Sequence, residues 1–439
     1  MPTLSLEIPF RKRVLDNQLQ VVVHEDRSCP IVAVNVWYHV GSKNETPGRT
    51  GFAHLFEHLM FEGSAHHDSG YFEPLQQAGG TLNGSTNTDR TNYWEVVPAN
   101  ALELALWLES DRMGFLLPAL TEQKFANQRE VVLNERRQNY ENRPYGMAGL
   151  AMIDALFPSG HPYHWATIGS PDDLRAATAD DVRAFFRRYY HPANASLAIA
   201  GDVDVEEALD LAARYFGDIP AGAPPEAIPP APARAQPARR MIEDRVELPR
   251  LYLGWLTPAM YADGDADLDL LADVLAAGKA SRLYRALVYE QRIATDVAAY
   301  QGSRELGSSF QIVATAVPGI DLGAIERAIH QELARVRAAG VSSDELARTL
   351  AVTETAFVSR LQTVGGFGGK SDQLNNYNVF LGDPGYFARD LERYRRSDAE
   401  RLRDAAARHL DPACCVTLSA VPAGRQDLAA PDSELVVPA

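Results

Sequence analysis

The chain has 439 residues, 46% of them apolar and 23% charged, and a formal net charge of −16. At roughly 100–200 residues per domain, this length predicts two or more domains with ample core. The acidic balance and the lack of a basic cluster exclude nucleic acid as a partner, because phosphate binding needs basic patches. The three cysteines, Cys29, Cys414 and Cys415, provide neither a disulfide framework nor a thiolate metal cluster.

No apolar run approaches the roughly 20 residues that a transmembrane helix needs. The first residues, MPTLSLEIPFRKRV, also lack the apolar region of a signal peptide. We therefore expect a soluble protein without a membrane span, periplasmic if a signal peptide has been removed and otherwise cytoplasmic, with the periplasm favoured.

The first half of the chain opens with two β-rich runs, LQVVVHED and IVAVNVWYHVGS, followed by an apolar helical segment, GFAHLFEHLMFEGS. The next segment, TLNGSTNTDRTNYWEVVP, alternates and ends at proline, which predicts a hairpin or an edge strand. Helical periodicity then appears in three further segments: ALELALWLESDRMGFLL, TEQKFANQREVVLNERRQ and ADDVRAFFRRYY.

A stretch dense in proline and alanine, residues 220–240, lacks apolar periodicity and predicts an extended, semi-stiff linker. It separates halves of similar size, 1–219 and 241–439. The second half repeats the order of the first, with a β-rich run, RLYLGWLTPAM, before an apolar helical segment, DLLADVLAAG. Strands and helices in mixed order predict two similar α+β halves, each with helices covering one sheet.

The apolar helical segments of the two halves can be aligned at their terminal glycines, Gly63 and Gly278. Their apolar residues then coincide, which pairs Leu55 with Leu270, Phe56 with Leu271, Leu59 with Val274 and Met60 with Leu275. Three polar residues of the first segment do not recur, because Asp269, Ala272 and Asp273 stand opposite His54, Glu57 and His58. A fold that required the trio would need it in both copies, so the trio indicates chemistry.

His54 and His58 are four residues apart, so on a helix their imidazoles lie on one face and can chelate one zinc ion. Glu57 lies beside that point, where a carboxylate can take a proton from the attacking water and deliver it to a leaving amine. This is the inverted H-x-x-E-H motif of zinc peptidases. A single histidine on an apolar helix is more often a hydrogen-bonded core residue, but two with an acid between them are harder to explain that way.

Catalytic zinc takes a third protein ligand and keeps one position open. Three nearby candidates are weaker: His66 and His67 read as a solvated loop, and Glu73 is only one short segment away. The segment FANQREVVLNERRQ offers Glu130 and Glu135. Helical spacing puts Glu135 on one stripe with Gln128 and Val132, and Glu130 on another with Asn134. Because a ligand should project from the inward stripe, Glu135 is favoured.

These segments together resemble the pitrilysin family of zinc metallopeptidases. The similarity covers nearly the whole chain, including HLFEHLMFEGS, REVVLNE, GGTLNGSTNTDRTNYWEVVP, GHPYHWATIGS, FFRRYYHPANASLAIAGDVD and GKASRLYRALVYEQ. The resemblance implies two similar halves with mostly antiparallel sheets, one zinc ion held by His54, His58 and Glu135, and Glu57 as general base. The chain length is similar to that of the two-subunit branch, which includes mitochondrial processing peptidase.

The resemblance also implies that a peptide substrate adds as a strand along LNGST, with Asn83, Gly84 and Ser85 in contact with it. Two positions depart from the family pattern. Gln128 stands where a second glutamate is usual near the zinc. Lys370 stands where the family has an arginine seven residues before a tyrosine, here Tyr377, and lysine lacks the planar fork of arginine. Half of this substrate-holding pair is therefore missing.

The sequence as a whole predicts a zinc endopeptidase subunit that hydrolyses peptides or unfolded segments. We expect it to act as a heterodimer with a homologous subunit that carries the arginine and tyrosine pair. A non-catalytic scaffold subunit of a peptidase or assembly complex is the alternative, which the intact trio argues against. A processor of targeting peptides with narrow specificity is a second alternative, and the sequence does not separate it from a general oligopeptidase.

Overall fold

A computed structural model describes residues 6–232 and 234–437. Within these residues, twelve strands form two six-stranded sheets. The strands are β1 (Arg11–Val14), β2 (Gln20–Glu25), β3 (Ile31–Tyr38), β4 (Thr81–Thr86), β5 (Thr91–Pro98), β6 (Ala195–Gly201), β7 (Ala238–Asp244), β8 (Arg250–Thr257), β9 (Ala294–Gly302), β10 (Ser308–Ala316), β11 (Val416–Pro422) and β12 (Glu434–Leu435).

Fourteen α-helices accompany the strands in the described part of the chain, together with short 3-10 and π-helical turns. The helices are α1 (Phe52–Leu59), α2 (Phe72–Gln77), α3 (Leu102–Ala119), α4 (Glu122–Arg136), α5 (Ala148–Leu156), α6 (Pro171–Ala176), α7 (Ala179–Tyr189), α8 (Val205–Phe216), α9 (Asp265–Ala276), α10 (Leu322–Ala339), α11 (Ser343–Arg360), α12 (Lys370–Leu381), α13 (Phe387–Arg395) and α14 (Ala399–His409). Among the described residues, no helix is both long enough and apolar enough to cross a bilayer.

The first sheet has the strand order β1-β2-β6-β3-β5-β4 and the second has β12-β7-β11-β8-β10-β9. Without the outer strands β1 and β12, the two orders are the same, since each strand of the first corresponds to the strand numbered five higher in the second. The orientations agree as well: the first pair in each order is parallel, and the pairs that follow are antiparallel. The predicted α+β architecture of two similar, mostly antiparallel halves is thus confirmed.

The chain forms two compact units. Among the described residues, unit 1 comprises residues 6–134, 166–227 and 355–391, and unit 2 comprises 135–165, 228–232, 234–354 and 392–437. In unit 1, α3 and α8 pack on one face of the first sheet and α12 packs on the other. In unit 2, α9, α10 and α14 pack on one face of the second sheet and α5 packs on the other.

The units differ from the contiguous halves expected from the sequence by two exchanged segments. Residues 135–165, which contain α5, lie in unit 2, and residues 355–391, which contain α12, lie in unit 1. The reason is long-range packing: Asp372 at the start of α12 accepts hydrogen bonds from Asn35, Trp37 and Asn92 of the first sheet. The end of the expected linker is also already a strand, because β7 begins at Ala238.

Candidate metal centre

Helix α1 carries the polar trio and is held at its N-terminus by a buried carboxylate. Gly51, with φ of 88°, turns the chain into the helix. The main-chain N–H groups of Gly51 and Ala53 donate to Glu45 at 2.9 and 2.8 Å. Burial raises the pKa of Glu45 to about 8, against the lowering effect of these bonds. Sequence reasoning missed Glu45, because nothing in the local pattern shows that an acid six residues upstream returns to satisfy the exposed N–H groups of the helix.

The segment GHPYHWATIGS supports the same helix end. A Cβ on Gly169 would lie 2.4 Å from the Cα of Gly51, so two glycine backbones touch where α1 begins. The N–H of Ser170 donates to the Thr50 hydroxyl at 2.9 Å, and that hydroxyl donates to Asp173 at 2.6 Å. The C-terminal part of this segment therefore fixes the direction of the helix that carries the histidines.

The two histidines converge as the four-residue spacing predicts. Their Nε2 atoms are 3.4 Å apart, and the rings are nearly perpendicular at 83°. Two ligands at the usual Zn–N distance of about 2.0–2.1 Å, separated by a tetrahedral angle, place their nitrogens about 3.3–3.4 Å apart. The separation of His54 and His58 therefore fits a shared zinc ion. Both side chains are half-buried, on an apolar helix whose other face is in the core.

Glu135 joins the histidines from near the C-terminal end of α4. One ligand atom each from His54, His58 and Glu135 lie within 4.8 Å of one another. Glu135 is the residue before the last one of this helix. A π-helical turn, Arg137–Glu141, follows at once, and from it Asn139 donates to Glu135 at 3.3 Å. Such turns often occur at functional sites.

The burial of α4 agrees with the stripe deduced from the sequence. Val132 is buried and Gln128 and Glu135 are half-buried, whereas Glu130 and Asn134 are exposed. Gln128 donates through Nε2 to Glu62, just beyond α1, at 2.5 Å. The amide at this departure from the family pattern therefore contacts the carboxylate of Glu62.

The weaker ligand candidates lie in other environments. His66 bonds through Nδ1 to Asp111, and the ring of His67 packs edge-on against Trp107. Glu73 accepts a hydrogen bond from Gln77 at 3.0 Å. The structure thus brings together only Glu135, among the five candidates considered, with the two histidines of the motif.

Glu57 lies near the hairpin formed by β4 and β5. Its negative charge acts on Arg90, Tyr93 and Tyr190. Burial lowers the pKa of Arg90, and the charges of Asp372 and Glu57 oppose this effect. Arg90 also donates from Nη1 to the Ser85 carbonyl at 2.8 Å. Sequence reasoning missed Arg90, which interacts with the charge of Glu57 and donates a hydrogen bond to strand β4.

Strand β4 contains Asn83, Gly84 and Ser85 and stands at the end of the first sheet, with β5 as its neighbour in the described part of the chain. At the hairpin turn the Asn87 N–H donates to the Arg90 carbonyl at 3.0 Å. Opposed residues of antiparallel strands alternate between hydrogen-bonded and non-hydrogen-bonded pairs. The main-chain groups of Leu82, Gly84 and Thr86 therefore point away from β5, toward the outer edge.

Side chains near Gly84 show which face of the sheet belongs to α1. A Cβ on Gly84 would approach the rings of Phe61 and Tyr93 to 3.1 Å, so the strand passes close to the segment that follows α1. The Gly84 N–H donates to its neighbour's side chain, Asn83 Oδ1, at 2.8 Å. This bond agrees with an N–H that points outward and takes no part in the ladder.

Lys370 and Tyr377 are engaged inside unit 1. The Lys370 ammonium bonds to Asp26 at 2.5 Å. Tyr377 is 1% exposed, and its hydroxyl donates to Asp390 at 2.8 Å. These contacts hold α12 to the residue after β2, Asp26, and to the helix that follows it, α13. The expected contact of Tyr377 with a substrate stays a prediction.

The folded halves and this donor set define a class, the two-domain inverted-motif zinc peptidases. Residues 20–152 match the family described as "Insulinase (Peptidase family M16)", and residues 176–352 match "Peptidase M16 inactive domain". The chain belongs to peptidase family M16. The expected pitrilysin-family membership is therefore confirmed.

Relatives and solved structures agree with this assignment. "Zinc protease PqqE" of Helicobacter pylori is 32% identical over 357 residues, which are 80% of this chain and 79% of that protein. A crystal structure of a protease from Helicobacter pylori has a TM-score of 0.86 at 28% identity and covers 94% of this chain and 100% of that one. The first half of the periplasmic protease PqqL from Escherichia coli has the same fold, with a TM-score of 0.75 at 19% identity over 94% of this chain and 92% of that one.

Proposed function

We propose that this chain is the catalytic subunit of a zinc endopeptidase that hydrolyses peptides or unfolded segments. The observation that carries the proposal is the convergence of His54, His58 and Glu135 within 4.8 Å. Two imidazole nitrogens and one carboxylate oxygen match a catalytic zinc site, which has three protein ligands and an open position. One zinc ion per chain follows from this donor set.

Bound zinc would act as a Lewis acid, polarising the scissile carbonyl and making the attacking water more acidic. The protein supplies the proton transfers. A carboxylate oxygen of Glu57 accepts the proton of that water and then delivers it to the nitrogen of the leaving amine. Because Glu57 shares helix α1 with both histidines, the base and two ligands keep a fixed spacing.

The substrate would lie along the outer edge of β4 as an added strand. Its main chain would pair with the outward groups of Leu82, Gly84 and Thr86. Main-chain pairing binds extended chains with little regard to their side chains. This mode suits peptides and unfolded segments, because their main-chain N–H and C=O groups are free to pair along the edge.

The working form that we propose is a heterodimer with a homologous subunit of similar length. Support comes from the engagement of Lys370 with Asp26 and of Tyr377 with Asp390 inside unit 1. An arginine and tyrosine pair that holds substrate would then come from the partner. The compartment that we propose is the periplasm, as expected from the sequence; the Escherichia coli protein of the same fold is described as periplasmic.

The competing proposal is a scaffold subunit without catalysis. It is favoured by the description of the domain matched by residues 176–352 as inactive. That match does not include the trio or Glu135, which fall in the range 20–152. A narrow processor of targeting peptides is a further candidate within the peptidase class, and its substrates would be cleaved at one position only.

Glu57→Gln separates the peptidase from the scaffold. We expect the variant to keep one zinc per chain and to lose hydrolysis by a factor on the order of 10²–10⁴ or more, because an amide cannot accept the proton of water. Zinc is measured by elemental analysis, and hydrolysis by mass spectrometry of peptide products in the presence of the partner subunit. Glu62→Gln, a carboxylate just beyond the same helix, is the matched control. Equal hydrolysis by wild type and Glu57→Gln would rule out Glu57 as the base.

A further inference from the structure

Phe367 is an aromatic side chain displayed at the surface of unit 1. It is 51% exposed and lies in the loop between α11 and α12, in the sequence Gly365-Gly366-Phe367-Gly368-Gly369. Its ring packs edge-on against the ring of Trp94 in β5, with 5.4 Å between centroids. Phe367 and the half-buried Trp94 together present aromatic surface on this part of unit 1.

The loop around Phe367 is held firmly on the sheet. A Cβ on Gly365 would lie 2.5 Å from the Cβ of Ala33 and 2.6 Å from Val96, so the loop backbone touches β3 and β5. The N–H of Gly368 donates to Asp372 at 2.8 Å, and the N–H of Ser371 donates to the Val364 carbonyl at 3.0 Å. Gly366 and Gly368 have φ near 80°, a conformation that other residues rarely adopt. Phe367 is therefore presented on a rigid support.

Strand register places this aromatic pair beside the edge strand. Trp94 stands directly opposite Asn83 of β4, and Tyr93 stands opposite Gly84. Successive side chains of a strand point to opposite faces. The Tyr93 face is the one that packs near α1, because the Tyr93 hydroxyl donates to the Phe56 carbonyl. Trp94, Asn83 and Phe367 therefore share the other face.

We propose that Trp94 and Phe367 form an apolar platform for alternate side chains of a peptide strand bound along β4. This inference rests on the proposed function. In such a strand, the residue paired with Gly84 turns its side chain toward the α1 face. The residues on either side of it turn theirs toward the platform. The platform thus makes the enzyme favour bulky apolar side chains at every second substrate position. Main-chain pairing alone would tolerate any side chain there.

Peptide binding to Glu57→Gln protein tests the platform without requiring turnover. Two labelled twelve-residue peptides are compared by fluorescence polarisation, one with phenylalanine at every second position and one with alanine there. We expect the phenylalanine peptide to bind about 5- to 30-fold more tightly, as partial burial of aromatic rings implies. The added substitution Phe367→Ala should reduce this preference to about twofold or less, and Phe367→Leu should restore part of it. Tyr289→Ala, which removes an exposed aromatic ring of unit 2, is the control and should leave the preference intact.

The outcomes separate the two proposals. A preference that is unchanged by Phe367→Ala, with both peptides bound, would overturn the platform and leave the proposed function standing. Failure of both peptides to bind any variant would overturn the edge-strand mode and the platform with it. If Phe367→Ala instead turns a dimer into a monomer in sedimentation and leaves peptide preference unchanged, Phe367 belongs to a subunit interface and the platform is wrong.

Discussion

Glu135 is set apart from its neighbour Glu130 by five residues of helix, which turn the two side chains to different faces of α4. Glu135 is half-buried and converges with His54 and His58, while Glu130 is exposed. Two glutamates on one helix thus have different environments, one half-buried and one exposed. The two glutamates differ in their spacing from the buried Val132, and this spacing can be read from the sequence.

Glu135→Gln should lose zinc because a neutral amide is a much poorer ligand than a carboxylate. The affinity should fall by more than the roughly 10–100-fold that loss of an outer partner costs. Chelator competition with purified protein, followed by elemental analysis, measures the change. Glu130→Gln, on the same helix, is the control and should keep full occupancy. An equal loss in both variants would show that the third ligand had been assigned to the wrong glutamate.

Helices α1 and α9 occupy corresponding places in the two units, since each follows the corresponding strand, β3 or β8, in a sheet of the same order. Their apolar frames agree, but Asp269 and Asp273 stand where α1 has its histidines. Asp269 accepts a hydrogen bond from the Tyr394 hydroxyl at 2.8 Å. Burial and the charge of Asp265 raise the pKa of Asp269 to about 7. In α9 the position of His54 is thus occupied by a carboxyl group whose pKa is raised by burial.

Asp269→Asn should stabilise the protein at pH 8 but not near pH 4. The folded pKa of about 7 lies above the ordinary value of 3.8, so the folded state binds more protons between these values. Stability is therefore lost as the pH rises through this window. Asparagine avoids that loss and keeps an oxygen for Tyr394, for a gain on the order of 2–4 kcal/mol above pH 7. Urea unfolding at pH 5, 6, 7 and 8 measures the difference.

Asp263→Asn is the matched control. Arg401 lowers the pKa of Asp263, so removal of that carboxylate should cost a small amount of stability rather than produce a gain. A constant difference between wild type and Asp269→Asn across the same pH range would contradict the raised pKa.

Periodicity was enough to predict the elements that carry the site. The helical spacing of His54, Glu57 and His58, the inward stripe of α4 and the alternation of the β4–β5 hairpin are local patterns, and each appears in the structure as predicted. Contacts between distant segments were not predictable in this way. Glu45 returns to cap α1, Arg90 connects Ser85 with the charge of Glu57, and α12 packs on a sheet whose strands lie about 180 to 340 residues before it in the chain.

At the scale of the whole molecule, two units have the same topology, and the described residues include one cluster, His54, His58 and Glu135, that could hold a metal ion. Lys370 and Tyr377 are used within unit 1, where they bond to Asp26 and Asp390. Under the proposed function, such a chain would supply a metal centre and an edge strand, and another subunit would supply the substrate-holding pair.

The isolated chain should bind zinc and show weak or no peptidase activity, and mixing with its partner should restore it. We expect the partner to be a homologue of similar length that lacks the trio and has an arginine and a tyrosine seven residues apart. Activity across a mixing titration, with size-exclusion chromatography of the mixture, measures the effect. Lys370→Arg is a useful companion variant, and it should not raise the isolated activity because arginine can still pair with Asp26. Full activity of the isolated chain, unchanged by Tyr377→Phe, would exclude this division of labour.

The hydrogen bond from the Gly84 N–H to Asn83 Oδ1 has a consequence for the kinetics of the proposed edge-strand binding. A substrate strand that pairs with Gly84 must first displace this side chain, so Asn83 acts as a tethered competitor that every peptide meets equally. A net hydrogen bond of about 1 kcal/mol corresponds to roughly a fivefold weaker association. The same side chain is ready to reclaim the N–H once the peptide has been cut and each fragment holds the edge with fewer bonds. In the proposed peptidase, the edge strand would thereby favour release of products over their retention, which would suit cleavage of many different chains.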